Sequence, residues 1–242
     1  MSKLTKTLRN LFGDAPARQP SRNVCDSKAD YLDRFRMTLA EWLIFHQKDV
    51  IFQDCKWMGV RALKNPLDAW IYQEIIYDVK PDVIVEIGSY EGGTTLFFAH
   101  ILDLLGQGIV VSVDIDRSKY SARHDRIVEI TGESASEPVV EQVKKQCQGK
   151  RVLILHDGDH VKTHVLKDLE AYAPMVSVGS YFIVEDGIVD LFEAGDGLGM
   201  ESDGPLAAVE EFLKTHDEFE IDRARERYVL TYNPKGFLKR VK

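Results

Sequence analysis

The chain has 242 residues with 31 Lys and Arg against 39 Asp and Glu, a formal charge of −8, and is 44% hydrophobic and 29% charged. That is enough apolar side chain for a packed core and too much for a disordered tail, and the length fits one large domain or two small ones. The acid excess excludes a nucleic-acid binder, which needs a Lys/Arg footprint to displace counterions from phosphates. Cys25, Cys55 and Cys147 form no C-x-x-C pair, no apolar stretch approaches a membrane span and no secretory signal core opens the chain, so a soluble, cytoplasmic protein is expected.

Residues 1–22 hold five bases and the single acid Asp14, a net +4 that leaves −12 for the remainder. Leu4, Leu8, Leu11 and Phe12 recur at helical spacing beside those bases, so residues 1–27 read as a basic extension. It is either an amphipathic helix that touches anionic lipid or a neighbouring subunit, or a frayed tail. One domain is expected over 28–242. Its first helix is expected over 28–48, from Tyr31, Phe35, Leu39, Trp42 and Leu43. A second helix starts at Asn65-Pro66, where Asn caps and Pro suits the first turn, with Leu67, Trp70, Ile71 and Ile75 on one face and Lys80-Pro81 as its stop.

From Asp82 onward, β-branched runs alternate with helical stretches. Residues 83–87, 109–113, 127–130, 152–155 and 181–184 read as strands buried on both faces, with helices near 94–105, 136–147 and 161–172. Alternation of this kind predicts an α/β fold with a mostly parallel sheet and helices on both faces. Residues 219–222 and 227–232 and a short run at 236–241 follow without an intervening helix and read as a C-terminal antiparallel hairpin. This is the layout of the Rossmann-like class I methyltransferases, an argument from pattern alone.

The first strand runs into Glu86-Ile87-Gly88-Ser89-Tyr90-Glu91-Gly92-Gly93, a glycine-rich turn at the sheet edge where ligands bind. Tyr90 stands where a dinucleotide fingerprint needs glycine, and the phosphate loop lacks its Lys. Asp114, at the end of the second strand, suits the two hydroxyls of a ribose. S-adenosylmethionine offers that ribose without a pyrophosphate, and its ammonium points to Glu86 or its neighbourhood. Glu86, Gly88, Ser89, Tyr90, Gly92 and Asp114 are therefore the candidate cofactor residues. A carboxylate inside an apolar strand such as Glu86 requires a ligand or a hydrogen-bond network.

The fourth strand ends His156-Asp157-Gly158-Asp159-His160 and the fifth Val184-Glu185-Asp186-Gly187. If the strands are neighbours, Asp157, Glu185 and Asp186 converge as an all-oxygen site suited to Mg²⁺ or Mn²⁺. Adjacent strand residues face opposite ways, so the chain must turn there, which Gly187 permits. A competing zinc-like set of Asp157, His160 and His164 lacks the H-E-x-x-H glutamate and a fourth ligand. Asp159 reads as a helix cap before Val161, and the glycine- and acid-rich stretch 187–204 either as a lid or binding loop or as a disordered connection without function, before a helix from Pro205 to about Lys214.

Residues 70–75 (Trp-Ile-Tyr-Gln-Glu-Ile), 80–88 (Lys-Pro-Asp-Val-Ile-Val-Glu-Ile-Gly), 157–160 (Asp-Gly-Asp-His), 184–186 (Val-Glu-Asp), 203–205 (Asp-Gly-Pro) and 235–238 (Lys-Gly-Phe-Leu) resemble the cephalosporin hydroxylase / rhamnosyl O-methyltransferase family over about 50–242. The resemblance implies a class I methyltransferase fold, S-adenosylmethionine, a divalent cation and a homo-oligomer. It places Gly88 and Asp114 on cofactor positions and Asp157, Glu185 and Asp186 on metal positions. The hydroxylase half of the name is not carried over, because neither H-x-D nor a jelly-roll pattern is present.

The expected activity is Mg-dependent O-methylation of a hydroxyl on a sugar, glycosylated small molecule or glycolipid. Asp157 positions the acceptor and His160 is the nearest base; the alternative for His160 is a hydrogen bond to a metal-ligand carboxylate. A catechol-like phenol acceptor and a non-catalytic S-adenosylmethionine or nucleoside binder are the competing readings.

Overall fold

The structure, a computed structural model, describes residues 27–196 and 198–242. The basic segment 1–22, with its expected lipid or subunit contact, and Cys25 lie outside the described residues. Cys55 and Cys147 are free thiols. Among the described residues no helix is long and apolar enough to cross a membrane. The chain divides into two compact units, up to Glu41 and from Trp42 onward.

The expected continuous helix over 28–48 is broken. Helix α1, Lys28–Arg34, is closed at its start by a reciprocal cap in which Asp30 N–H donates to Ser27 Oγ at 3.3 Å and Ser27 N–H to Asp30 Oδ2 at 2.8 Å. Thr38 and Glu41 repeat that arrangement, with Thr38 N–H on Glu41 Oε2 at 2.8 Å and Glu41 N–H on Thr38 Oγ1 at 3.2 Å. A second capping box inside one apolar periodicity starts a new helix, α2, Leu39–Phe45, which passes into a π-helical turn at His46–Ile51. Periodicity reads the face and is blind to this restart.

A two-stranded hairpin follows in the second unit, β1 Lys56–Trp57 and β2 Val60–Arg61. Helix α3, Pro66–Val79, begins as its sequence demands: Asn65 accepts from Leu67 N–H at 3.2 Å, and Lys80 ends the helix in the left-handed region. Its buried face is Asp68, Ile71, Tyr72, Ile75 and Ile76, so Trp70, expected inside, lies outside at 59% exposure.

The main sheet comprises β3 Val83–Ile87, β4 Ile109–Asp114, β5 Ile127–Thr131, β6 Val152–His156, β7 Tyr181–Val184, β8 Phe219–Ile221 and β9 Phe237–Arg240. Their order is β5-β4-β3-β6-β7-β9-β8, with parallel pairing from β5 to β7 and antiparallel pairing of β9 with both β7 and β8. Helices α3 and α4, Gly93–Leu105, cover one face; α5, Glu137–Cys147, α6, Lys162–Tyr172, and α7, Pro205–Phe212, cover the other. The apolar runs of β3, β6 and β7 are buried throughout, as doubly covered parallel strands must be.

The terminal hairpin is made by β8 and β9, and the expected strand at 227–232 does not form. That segment is tied to α3: Asp68 accepts from Thr231 Oγ1 at 2.5 Å and Tyr232 N–H at 2.9 Å. Its backbone passes through a positive φ of 68° at Val229, which no sheet ladder accommodates.

The chain winds outward from β3 through β4 to β5 and returns to the other side of β3 as β6. The strand order therefore reverses between β3 and β6, where open α/β sheets bind ligands. The ladder continues past both strand ends, with Gly88 N–H on Val113 O at 2.8 Å and Asp157 N–H on Ile87 O at 2.7 Å. Gly88 has φ +84°, and a Cβ there would overlap the Asp157 carbonyl. Gly88→Ala is expected to destabilise the protein by about 3 kcal/mol, combining overpacking with a left-handed backbone, as read from the urea midpoint.

Candidate active site

Asp114 closes the glycine turn. Its Oδ2 accepts from Ser89 N–H at 2.9 Å and Tyr90 N–H at 2.8 Å, and its Oδ1 from Asp116 N–H at 3.0 Å. Tyr90 holds φ 47°, and Lys119 Nζ lies 3.1 Å from its hydroxyl. Gly92 is the N-cap of α4 at φ 91°, in space that Tyr120 and Ala122 leave too small for a side chain. Five of the six expected cofactor residues therefore surround one turn at the β3 end, and the sixth lies beneath it.

That sixth residue, Glu86, is fully buried on the α3/α4 side of β3 and accepts a hydrogen bond from Thr95 Oγ1 of α4. Its Oε1 has no partner, and burial pushes its carboxyl up to about 8 against the opposing pull of Thr95 and Lys64. Beside the turn, Arg117 donates to Ser89 Oγ at 2.8 Å, Ser112 Oγ at 2.9 Å and Ile130 O at 2.9 Å, pinning the loop to the β4 and β5 ends.

The three carboxylates at the β6 and β7 ends converge. The required turn is made by Asp186 itself, at φ 57°, rather than by Gly187. It is held by Asp186 N–H donating to Asn233 Oδ1 at 3.1 Å. Asn233 Nδ2 donates to the Tyr72 hydroxyl at 2.6 Å, and that hydroxyl donates to Glu185 Oε1. Lys64 Nζ donates to both Asp157 Oδ2 and Glu185 Oε2. His160 Nε2 lies 2.8 Å from Asp186 Oδ2 and 4.0 Å from Asp157 Oδ1. One ligand atom each from Asp157, His160 and Asp186 lie within 4.8 Å of one another, so this trio can receive a metal ion as it stands.

The charges in this cluster shape one another. Burial raises Glu185 well above the usual carboxylate range, although Lys64 opposes it. Burial acts the same way on Asp186, but its hydrogen bond and ion pair with His160 outweigh it and hold Asp186 low. His160 is held above its ordinary value, Asp186 and Asp157 overcoming its burial. Lys64 remains an ammonium for the same reason, between Asp157 and Glu185.

His164 belongs elsewhere, with its Nδ1 2.8 Å from Asp159 Oδ2; Asp159 Oδ1 accepts from Val161 N–H at 2.8 Å, but Val161 rather than Asp159 is the N-cap of α6, and no side chain caps that helix. The loop 187–204 folds back on α7, Asp190 accepting from Gly204 N–H at 2.6 Å and Ala207 N–H at 3.0 Å. Lys64, Tyr72 and Asn233 escaped the sequence reading. Their one signal was polar side chains around the apolar face of α3, where Asp68 and Tyr72 are one turn apart.

A seven-stranded sheet of this order, with a glycine turn and an acid at the first two strand ends, has the class I methyltransferase fold. The sequence profile of the Rhamnosyl O-methyltransferase/CmcI family matches residues 49–241. A rhamnosyl O-methyltransferase of Mycobacterium leprae is 32% identical over 208 residues, 83% of this chain and 89% of the relative. One of Mycobacterium bovis is 30% identical over 209 residues, 83% of this chain and 84% of the relative. A CmcI structure with Mg and SAM superimposes with a TM-score of 0.65 at 21% identity over 100% of both chains, and an apo CmcI structure with 0.64 at 19% over 98% and 95%. The chain belongs to the Rhamnosyl O-methyltransferase/CmcI family and is an S-adenosylmethionine-dependent O-methyltransferase.

The raised Glu86 sets a pH dependence of stability. Below its unfolded value near 4.5, Glu86 is protonated in both states and costs nothing. As pH rises to about 8 the unfolded chain releases the proton first, so stability falls across that window. Glu86→Gln removes this loss. Its urea midpoint, relative to the parent, is expected to rise between pH 5 and pH 8.

Proposed function

We propose that the protein methylates a hydroxyl of a sugar, a glycosylated small molecule or a glycolipid, with Mg²⁺ held by Asp157, Glu185 and Asp186. One observation carries this reading: the Gly88 backbone packs directly against the Asp157 carbonyl, so the cofactor turn and the carboxylate cluster share a wall. Support for the acceptor class comes from the rhamnosyl O-methyltransferases among the relatives, and for the ligands from the CmcI structure with Mg and SAM.

The donor set fits a hard cation, since carboxylate oxygens dominate it. When bound, the sulfonium supplies an activated methyl group and the divalent ion supplies positive charge beside the acceptor oxygen. Gly88 lets the backbone approach the nucleoside, and Asp114, while bracing Ser89, Tyr90 and Asp116, keeps one lone pair of Oδ1 for a ribose hydroxyl. Asp157 and Asp186 orient the acceptor. His160, steered by Asp186, takes the acceptor proton.

Calorimetry with S-adenosylmethionine, with and without Mg²⁺, tests the ligands: both are expected to bind, and binding of neither would sink the reading. His160→Ala is expected to lower kcat by roughly 10²–10⁴-fold, the range for general bases, while Asp157→Ala abolishes turnover. Full turnover in His160→Ala alongside its loss in Asp157→Ala would remove His160 from the base role.

A further inference from the structure

Lys64 immediately precedes the cap of α3, and its side chain is only 10% exposed. Taking an ammonium out of water costs several kcal/mol unless its partners restore that energy. Its partners are two of the three carboxylates assigned above to the divalent ion, Asp157 through Oδ2 and Glu185 through Oε2.

Both oxygens of Glu185 are already engaged. Oε1 takes the Tyr72 hydroxyl, which Asn233 fixes in turn, and Oε2 takes Lys64. With Lys64 in place, the groups left for a metal are Asp157 Oδ1, Asp186 and the imidazole of His160. Mg²⁺ prefers an all-oxygen octahedron to a set containing imidazole. With Lys64 displaced, Asp157, Glu185 and Asp186 offer that oxygen set. An ammonium and a divalent ion on the same two oxygens would also repel each other at short range in a poorly solvated site.

We propose that Lys64 and the divalent ion are alternative occupants of the gap between Asp157 and Glu185. Metal loading expels the ammonium, and metal loss lets it return. Lys64 is thereby a positioning residue: it keeps the carboxylates together while the metal is absent, and it lowers the net affinity for the metal that replaces it. The inference rests on the metal assignment of the proposed function and adds a competitor to it.

Two measurements test it. In calorimetric titrations with Mg²⁺ and with Mn²⁺, Lys64→Met, which keeps the aliphatic stem, is expected to bind about tenfold or more tightly than the parent, since a competing ion has been removed. Equal or weaker binding by Lys64→Met, with the parent still binding, overturns the exchange and leaves the metal assignment standing. If neither protein takes up either ion, the metal assignment itself fails, and the exchange with it. The second measurement needs no variant: amine acetylation of the parent protein, read by peptide mass spectrometry, is expected to increase at Lys64 when Mg²⁺ is saturating. Unchanged or reduced labelling of Lys64 overturns the proposal.

Discussion

Three carboxylates meet at the carboxyl ends of β6 and β7, and the local architecture answers the cost of putting that charge together. Glu185 is 4% exposed, and Asp157 and Asp186 are 21% and 24% exposed. Left alone, such a cluster repels itself and loses hydration worth several kcal/mol per buried ion. Lys64 supplies one positive charge to Asp157 and Glu185, Tyr72 donates to Glu185 as well, and His160 pairs with Asp186. Asn233 fixes both the Asp186 backbone and the Tyr72 hydroxyl. These partners come from the start of α3, the segment after β6 and the turn before β9, so compensating the charge also ties those elements to the sheet edge.

The glycine turn, where the cofactor is proposed to bind, is built on a different constraint, close approach. Gly88 sits where the strand order reverses, against the backbone of Asp157, and a side chain there has no room. Asp114 and Arg117 then hold the turn from the neighbouring strand ends. Methyl transfer needs donor and acceptor aligned to within a few tenths of an ångström. The glycine turn and the carboxylate cluster share a wall, the Gly88 backbone against the Asp157 carbonyl.

The parts of this site legible in the sequence are those written within single strand–loop units. Val83–Ile87 announces a strand and Gly88 its turn; Asp157, Glu185 and Asp186 follow apolar runs that carry acids to one edge. What stayed hidden depends on long separations. Lys64 meets Asp157 and Glu185 across 93 and 121 positions, and Asn233 meets Tyr72 across 161. Periodicity carries no trace of such pairings. It also misled where local chemistry intervened: the Thr38–Glu41 cap divides one expected helix, and Asp68 draws 231–232 away from the sheet. Gly187 looked like the turn residue after Glu185, yet Asp186 turns, because Asn233 and His160 hold its backbone and side chain in place.

Sugar-hydroxyl methylation at the edge where the Gly88 turn meets the carboxylate cluster, with a divalent ion required, is tested by incubating the purified protein with methyl-labelled S-adenosylmethionine and a panel of rhamnosyl glycosides, with Mg²⁺ or with EDTA. The expected result is label on a sugar oxygen in the presence of Mg²⁺, loss of transfer on chelation and recovery when Mg²⁺ is restored. Transfer undiminished by EDTA, or label confined to phenolic acceptors offered in parallel, would contradict it.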